Sequence, residues 1–434
     1  MVGMSVIMAT YNRGRHILPS IRSVLDQSHR DFELIVVGDC CTDDTPDIVR
    51  PLLDARVRWF NLAERCGSQS FPNNEGIRRA EGDLIAYIGH DDIWAPDHLA
   101  SLDALFAADP DLDVAVAGTI FHGPAGSDFR QVTGLFDDSA AAREHFFPPS
   151  SLAHRRDVTG RIGPWRHPME IAAPVDCDLL LRAVGAGMRF ASTRRVSVHK
   201  FAAGHRYLSY LRHTSDEQDH ALQRLDAPDH AAFVDAEVER ARAEGTFMVV
   251  RHGRYETFEN GALARSNALN KGILRPDLRR LEGPVTIAQD DSPRALDWQP
   301  LEQGRFRRVG RNPKPKILLP FCCTGPVAIR IVVTHADRAA LKGLSLALNG
   351  AAFDARMSRP RQVEDRWEAA ARIDARLLPD DYSVMELRLT EAQRMRPGQT
   401  GIGIGDIRLA RRRLRDRAGD ALGWIGRRLG AGGG

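Results

Sequence analysis

Apolar residues in the first half of the chain come in short runs that break off into polar residues. Met4 to Ala9, Phe32 to Val37, Val57 to Asn61 and Ile85 to Ile88 are such runs, and their length and density describe buried strands. Between them the apolar positions shift to helical spacing: Ile17, Ile21, Val24 and Leu25 after the first run, and Leu99, Leu102, Leu105 and Phe106 after the fourth. Thr45 before Pro46 reads as a capping residue followed by proline in the first helical position. A short helix over Asn73 to Ala80 is closed by Glu81-Gly82. Asp113 to Phe121 reads as a further strand, Val175 to Arg182 as an apolar helix opened by acids, and Arg189 to Val198 as a last strand pair ending in His199-Lys200-Phe201. Strands alternating with helices predict an α/β fold with a mostly parallel sheet flanked by helices. In such a sheet the polar residues that follow each strand gather along one edge, where ligands bind.

The pattern changes downstream. Ser209 to Glu244 is polar and helix-prone with a thin stripe of Phe233, Val234 and Val238, and the stretch to Pro300 has no strong period. Beyond Leu301, short alternating runs at Lys316 to Pro320, Val327 to Val333, Leu344 to Leu348 and Met385 to Leu389, with Asn349-Gly350 as a hairpin signal, predict a C-terminal β-sandwich domain. The expected organisation is therefore a Rossmann-like domain over residues 1–225, a helical extension and connector over 226–299, a β-sandwich over 300–410 and a basic tail over 411–434. In the tail, Leu414, Ala418, Leu422, Ile425 and Leu429 share one helical face beneath several arginines, among them Arg411 to Arg413. That suits peripheral contact with an anionic membrane, the alternative being a solvated terminus.

A chain of 434 residues is long for one core. Its net charge of +3 gives no reason to expect nucleic acid as a partner. The six cysteines show no C-x-x-C spacing, which speaks against zinc or redox work and for a reducing compartment. With no basic leader before the first strand and no apolar stretch near the ~20 residues of a bilayer span, a cytoplasmic location is expected, peripheral on the inner face of the membrane if the tail binds lipid.

The chemistry centres on the fourth strand, which runs into Gly89-His90-Asp91-Asp92. Adjacent carboxylates at a strand end can hold a divalent cation against a diphosphate, the plain alternative being an acidic turn before a helix. Four stretches in order carry a resemblance. Ser5 to Arg13 is similar to the first strand and nucleotide loop of family 2 glycosyltransferases. Val36 to Thr45 resembles that family's V-V-D-D-G-S-T-D-D-T segment, with Gly38 for the first Asp, Asp39 retained and Cys40-Cys41 for Gly-Ser. Asn74 to Asp83 together with Ile88 to Asp92 resembles R-N-x-G-I-x-x-A-x-G-E and L-D-x-D-D, with Asn73 where Arg is frequent and Gly89 for the leading Asp. Val175 to Leu179 resembles E-D-x-D-L, with Val175 for Glu.

The resemblance implies a GT-A fold and a nucleoside-diphosphate-sugar donor bound by Thr10, Tyr11, Arg13, Asp39, Asn74 and Asp91. It also implies a cation, Mn²⁺ or Mg²⁺, on Asp91 and Asp92. His199 would complete the coordination or contact phosphate, a structural histidine being the alternative, and Asn74 reads equally as a helix cap. The residue types suit the donor, since a flat base needs an aromatic face, a ribose a carboxylate and a diphosphate a cation. Asp176 is implied as the base that takes the proton from the acceptor hydroxyl, whereas Asp178 lies just inside the helix. The implied activity is an inverting transfer of sugar to a glycan or lipid-linked acceptor in cell-surface glycan synthesis. A sugar-1-phosphate nucleotidyltransferase is the enzyme rival, but it wants a Gly-rich basic loop where Thr10-Tyr11-Asn12-Arg13 stands. A degenerate glycan-binding protein is the other rival, motivated by Gly38, Asn73, Gly89 and the expected sandwich.

Overall fold

The computed structural model describes residues 3–123, 130–139, 141–201, 206, 208–247, 259–274, 277–287, 298–302, 306–309, 316–324, 326–334, 345–348, 351–353, 361–363, 366–377, 382–388 and 402–411. The chain divides into two compact units, Met1–Ile273 and Leu274–Gly434.

In the first unit the elements run β1 (Met4–Thr10), α1 (Leu18–Leu25), β2 (Phe32–Gly38), α2 (Thr45–Val49), β3 (Val57–Asn61), α3 (Ser70–Arg79), β4 (Leu84–Gly89), β5 (Ile93–Trp94), α4 (His98–Ala108) and β6 (Val114–His122). They continue with β7 (Arg130–Thr133), β8 (Leu152–Arg155), α5 (Val158–Ile162), α6 (Val175–Gly185), β9 (Phe190–Lys200), α7 (Asp216–Leu225), α8 (His230–Glu244) and α9 (Ala262–Lys271). One nine-stranded sheet results, in the order β3-β2-β1-β4-β8-β6-β9-β5 with β7 beside β6. Strands β3, β2, β1 and β4 pair in parallel, and β6 pairs in parallel with β9. Because β8 is antiparallel to both β4 and β6, these six strands share one direction and the sheet is mostly parallel, as expected.

Alternation along the strands explains the two cores. Met4, Val6 and Met8 of β1 face α1 and α4 in a cluster with Ile21, Val24, Leu99 and Leu102. On the opposite face, Ile7 joins Ile35, Ile85 and Tyr87 against Leu179, Leu180 and Ala183 of α6. A strand whose successive residues are all covered needs helices on both sides, which is why these runs are apolar apart from Ser5 and Glu33, whose buried side chains hydrogen-bond each other at 2.7 Å.

Two local expectations change. Thr45 begins α2 rather than capping it, and its hydroxyl accepts the N–H groups of Arg13 and Gly14 at 2.9 and 2.8 Å, fastening the loop after β1. The last strand pair is one strand, β9, whose pairing with β6 shifts register near Gly118. The helical extension is split by the unit boundary: α8 packs in the first unit, where Ala241, Val234 and Val238 cluster with Ile120 and Val132.

The second unit is built from short strands in two larger sheets. One has the order 298–302, 306–309, 403–411, 326–334, 366–376 and 361–363, with 285–287 beside 403–411, and the other the order 316–319, 383–388, 345–348 and 351–353. Their named pairings are antiparallel. Val327, Ile329, Ile331 and Val333, spaced two apart, share a core with Leu346, Met385 and Leu387 from the other sheet. Leu348 pairs with Ala351 across the Asn349-Gly350 signal, which itself lies outside the described residues. Arg411, expected to open the tail, ends the strand 403–411 opposite Val327, and residues 412–434 lie outside the described residues. Among the described residues no helix is long and apolar enough to cross a membrane.

Candidate active site

The carboxyl ends of β1, β2 and β4 open onto a cleft of about 430 Å³ in the first unit. Its wall carries Thr10 and Tyr11 after β1, Asp39 after β2, Gly89 to Asp91 after β4 and Pro174 to Asp176 at the start of α6. Lys200, Phe201, Tyr210 and Lys271 close the other side. Four of the expected residues, Thr10, Tyr11, Asp39 and Asp91, thus meet Asp176 in one place although they are spread over more than 160 positions of the chain.

Each wall residue has a definite local state. The Thr10 hydroxyl is buried without a hydrogen-bond partner among the described residues. Tyr11 lies 5.9 Å from the Tyr210 ring, and the Arg65 guanidinium sits 4.0 Å from its centroid. Asp39 accepts the N–H groups of Cys66 and Gly67 at 2.9 and 2.8 Å, so the carboxylate also holds the loop that leads into α3. The turn beside it accounts for one departure from the family pattern and strains the backbone at another. At Gly38 a side chain would collide with Asn61, whose amide brackets Cys41 by accepting its N–H at 2.8 Å and donating to its carbonyl at 3.0 Å. Cys40 adopts φ +58°, the left-handed region that favours the glycine of that pattern. Burial pushes the Cys41 thiol up to about 11, so it is no ready nucleophile.

The acidic pair divides. Asp91 faces the cleft, but Asp92 is fully buried. Its Oδ2 accepts the Lys200 ammonium at 2.8 Å and the Ser150 hydroxyl, and its Oδ1 accepts the Phe201 N–H at 3.2 Å. The carboxylate folds over Gly89, where a Cβ would stand 2.7 Å from Asp92 Oδ2, which is why no side chain fits there. Burial pushes the Asp92 carboxyl upward against the pull of Lys200. For Asp91 burial acts upward too, but the neighbouring positive charges, among them Lys200, Arg13 and Lys271, outweigh it and hold the carboxyl low. Burial pulls His90 down to about 3, leaving a neutral ring whose Nε2 lies 3.0 Å from the Tyr210 hydroxyl.

At α6, Asp176 lies in the first turn and faces the cleft, and burial raises its carboxyl above the ordinary range. Asp178 is committed elsewhere, to Arg182 at 2.8 Å and Arg166 at 3.3 Å. Of the two acids, only Asp176 lines the cleft.

Besides Asp92, three expected residues are not brought to the wall. Arg13 is buried behind it, its Nη1 3.5 Å from the Ser209 carbonyl. Asn74 neither caps α3, where Gln69 precedes the first turn, nor lines the cleft. Its amide donates to the Trp165 carbonyl and accepts the Trp165 N–H, both at 2.9 Å. His199 sits on the face of β9 opposite to Lys200, with its Nδ1 3.0 Å from His122 Nε2 and its ring 5.5 Å from His230. It is therefore not assembled with the two aspartates. Among the described residues no group of three His, Cys, Asp or Glu side chains could hold a metal ion. Lys200, Lys271, Ser150 and Tyr210 were not foreseen as wall or supporting residues. Only Lys200 had a signal, its position at the end of a strand beside His199.

Residues 5–159 match the family model described as Glycosyl transferase family 2. That segment of the first unit is of the family 2 glycosyltransferase type. The putative teichuronic acid biosynthesis glycosyltransferase TuaG of Bacillus subtilis is 39% identical over 98 residues, covering 22% of this chain and 38% of TuaG. The putative colanic acid biosynthesis glycosyl transferase WcaA of Escherichia coli K12 is 32% identical over 201 residues, covering 42% of this chain and 66% of WcaA. The Escherichia coli UDP-Glc:alpha-D-GlcNAc-diphosphoundecaprenol beta-1,3-glucosyltransferase WfaP is 30% identical over 98 residues, covering 23% and 39% of the two chains. The matched part spans from 38% to 66% of the length of these relatives.

Proposed function

We propose that this protein is an inverting glycosyltransferase of the GT-A type, moving a sugar from a nucleoside diphosphate to an acceptor hydroxyl in cell-surface polysaccharide synthesis. The observation that carries the reading is the placement of the Asp176 carboxylate in the same cleft as Tyr11, Asp39 and Asp91. Three of these lie beyond parallel strand ends, where nucleotide ligands bind in open α/β sheets, and the fourth comes from a separate helix. The cleft volume falls in the range of small-molecule sites. In this reading Thr10, Tyr11, Asp39 and Asp91 hold the donor, with Arg13 and Asn74 supporting the wall from behind.

Asp176 takes the acceptor proton as the hydroxyl attacks the anomeric carbon. The new C–O bond forms on the face opposite the leaving diphosphate, so a single displacement inverts the configuration. A carboxyl raised by burial is a stronger base than an ordinary aspartate. The names of TuaG, WcaA and WfaP favour a surface-polysaccharide product, and that of WfaP favours a UDP-sugar donor and a lipid-diphosphate acceptor. The second unit is read as a β-sandwich that contributes binding or assembly, and the basic tail as a peripheral membrane contact that keeps the enzyme at the inner face.

The test is a transfer assay with nucleoside-diphosphate sugars and lipid-linked oligosaccharide acceptors, reading released nucleoside diphosphate. Asp176→Asn should lower turnover by ~10²–10⁴-fold while nucleotide affinity stays within about twofold. A normal rate in this variant would remove Asp176 from the mechanism, and release of pyrophosphate would replace transfer by nucleotidyl chemistry.

A further inference from the structure

The expected cation and the observed residues do not fit one another. Both oxygens of Asp92 are taken up inside the protein by Lys200, Ser150 and the Phe201 backbone, and His199 belongs to a histidine pair on the other face of β9. That leaves Asp91 as the one expected ligand of the three on the cleft wall, beside two ammonium groups close enough to pull its carboxyl down. A divalent ion held there would have one carboxylate and two positive neighbours.

Lys271 is the second observation. It is the last residue of α9 and lines the cleft, yet its Nζ has no hydrogen-bond or ion-pair partner among the described residues. Its Nζ lies over the Tyr210 ring, 5.7 Å from the centroid. Burial pulls its ammonium below the ordinary lysine value. A partly buried cation without a hydrogen-bonded partner is costly to the empty protein, and an anion entering the cleft would relieve that cost. Lys200 has three N–H donors and gives one to Asp92, so it too can serve an occupant without leaving its partner.

We propose that Lys200 and Lys271 receive the diphosphate of the donor in the role expected of a divalent cation, so that nucleotide binding proceeds without metal. The assignment rests on the reading of the cleft as a nucleotide-sugar site. The two ammonium groups neutralise the bound phosphates and, after the anomeric bond breaks, the charge left on the departing diphosphate. Asp91 favours the charged form of both lysines in the empty state.

Calorimetric titration of the full chain, stripped with excess EDTA, with UDP, GDP, ADP, CDP and dTDP tests this, each beside its parent nucleoside and each repeated with Mn²⁺ or Mg²⁺. One diphosphate should bind in EDTA with an affinity within about threefold of that with metal. Lys271→Met should weaken that diphosphate at least about tenfold, as expected for a lost charge-assisted hydrogen bond, and leave the nucleoside unchanged. Since Lys271 has no partner to lose, this variant should unfold at or above the wild-type temperature, and Lys271→Arg should retain most of the affinity. Binding that appears only with Mn²⁺ or Mg²⁺ would overturn the proposal, as would a Lys271→Met variant that binds diphosphate like wild type. If no diphosphate bound under any condition, the nucleotide-site reading itself would fall, and this assignment with it.

Discussion

Asp92→Asn separates two roles for a carboxylate that sequence alone leaves equivalent. If Asp92 waits for a metal, its charge beside Asp91 is a liability in the metal-free protein, and neutralising it should leave stability unchanged or improved. The structure leads to the opposite expectation. Asp92 is 0% exposed and is the closest anion to the Lys200 ammonium, at 2.8 Å. The amide would keep an acceptor for the Phe201 N–H but could not neutralise Lys200, and breaking a buried ion pair from one side costs about 3–5 kcal/mol. For a unit of this size that corresponds to a fall in melting temperature of roughly 6–20 °C. Thermal unfolding in excess EDTA, followed by tryptophan fluorescence, reads the shift directly, because Trp94 is fully buried and its Nε1 donates to the Ser150 carbonyl at 2.7 Å, next to the carboxylate. An Asp92→Asn protein that melts at or above the wild-type temperature in EDTA would refute the ion-pair reasoning and return Asp92 to the metal.

Asn74→Ala removes both hydrogen bonds to the Trp165 backbone and strands a partly buried N–H and carbonyl, which should cost about 2–4 kcal/mol in urea unfolding. Nucleotide affinity should hardly change, and a stable variant that had lost affinity would make Asn74 a ligand contact instead. A pH effect should accompany two buried histidines remote from the acids: burial pulls His98 down to about 3 and His154 to about 4. The unfolded chain binds protons near pH 6.5, so it holds more of them than the folded state between these values. Stability should be full above pH 7 and fall as the pH drops below ~6.5, by up to ~3 kcal/mol per pH unit for the pair. Melting temperatures that stay flat from pH 7.5 to 5 would contradict this.

The fold was legible where burial imposes a pattern. The runs at Met4, Phe32 and Ile85 are covered on both faces, so they are apolar but for the paired Ser5 and Glu33 and stand out against their polar sequels. Thr10, Tyr11, Asp39 and Asp91 could be found because the residues that follow parallel strands reach the same edge. What failed did so for physical reasons as well. Successive residues on a strand face opposite ways, so a reading that picked His199 over Lys200 was one position, and one face, away from the cleft. Asp91 and Asp92 are neighbours in a turn, where no periodicity says which carboxylate turns inward. The glycine at 38 looked like a lost functional residue until Asn61, from the adjacent strand, proved to occupy its space. Lys271 carries no local signal, because a lysine ending a helix is ordinary wherever it points.

The Asp92 cluster also says something about the order in which the molecule can come into being. The carboxylate lies in the turn after the fourth strand, but its partners arrive with Ser150 and then with Lys200 and Phe201, 58, 108 and 109 positions later. A chain emerging from the ribosome therefore carries Asp92 through the synthesis of about as many residues again before its ion-pair partner exists. Loop closure over that span is slow compared with local structure. The last strand of the sheet thus does more than complete a layer: it brings the cation that lets the first half of the unit settle, and a chain interrupted before Lys200 should remain a protease-sensitive intermediate however well its early strands have paired.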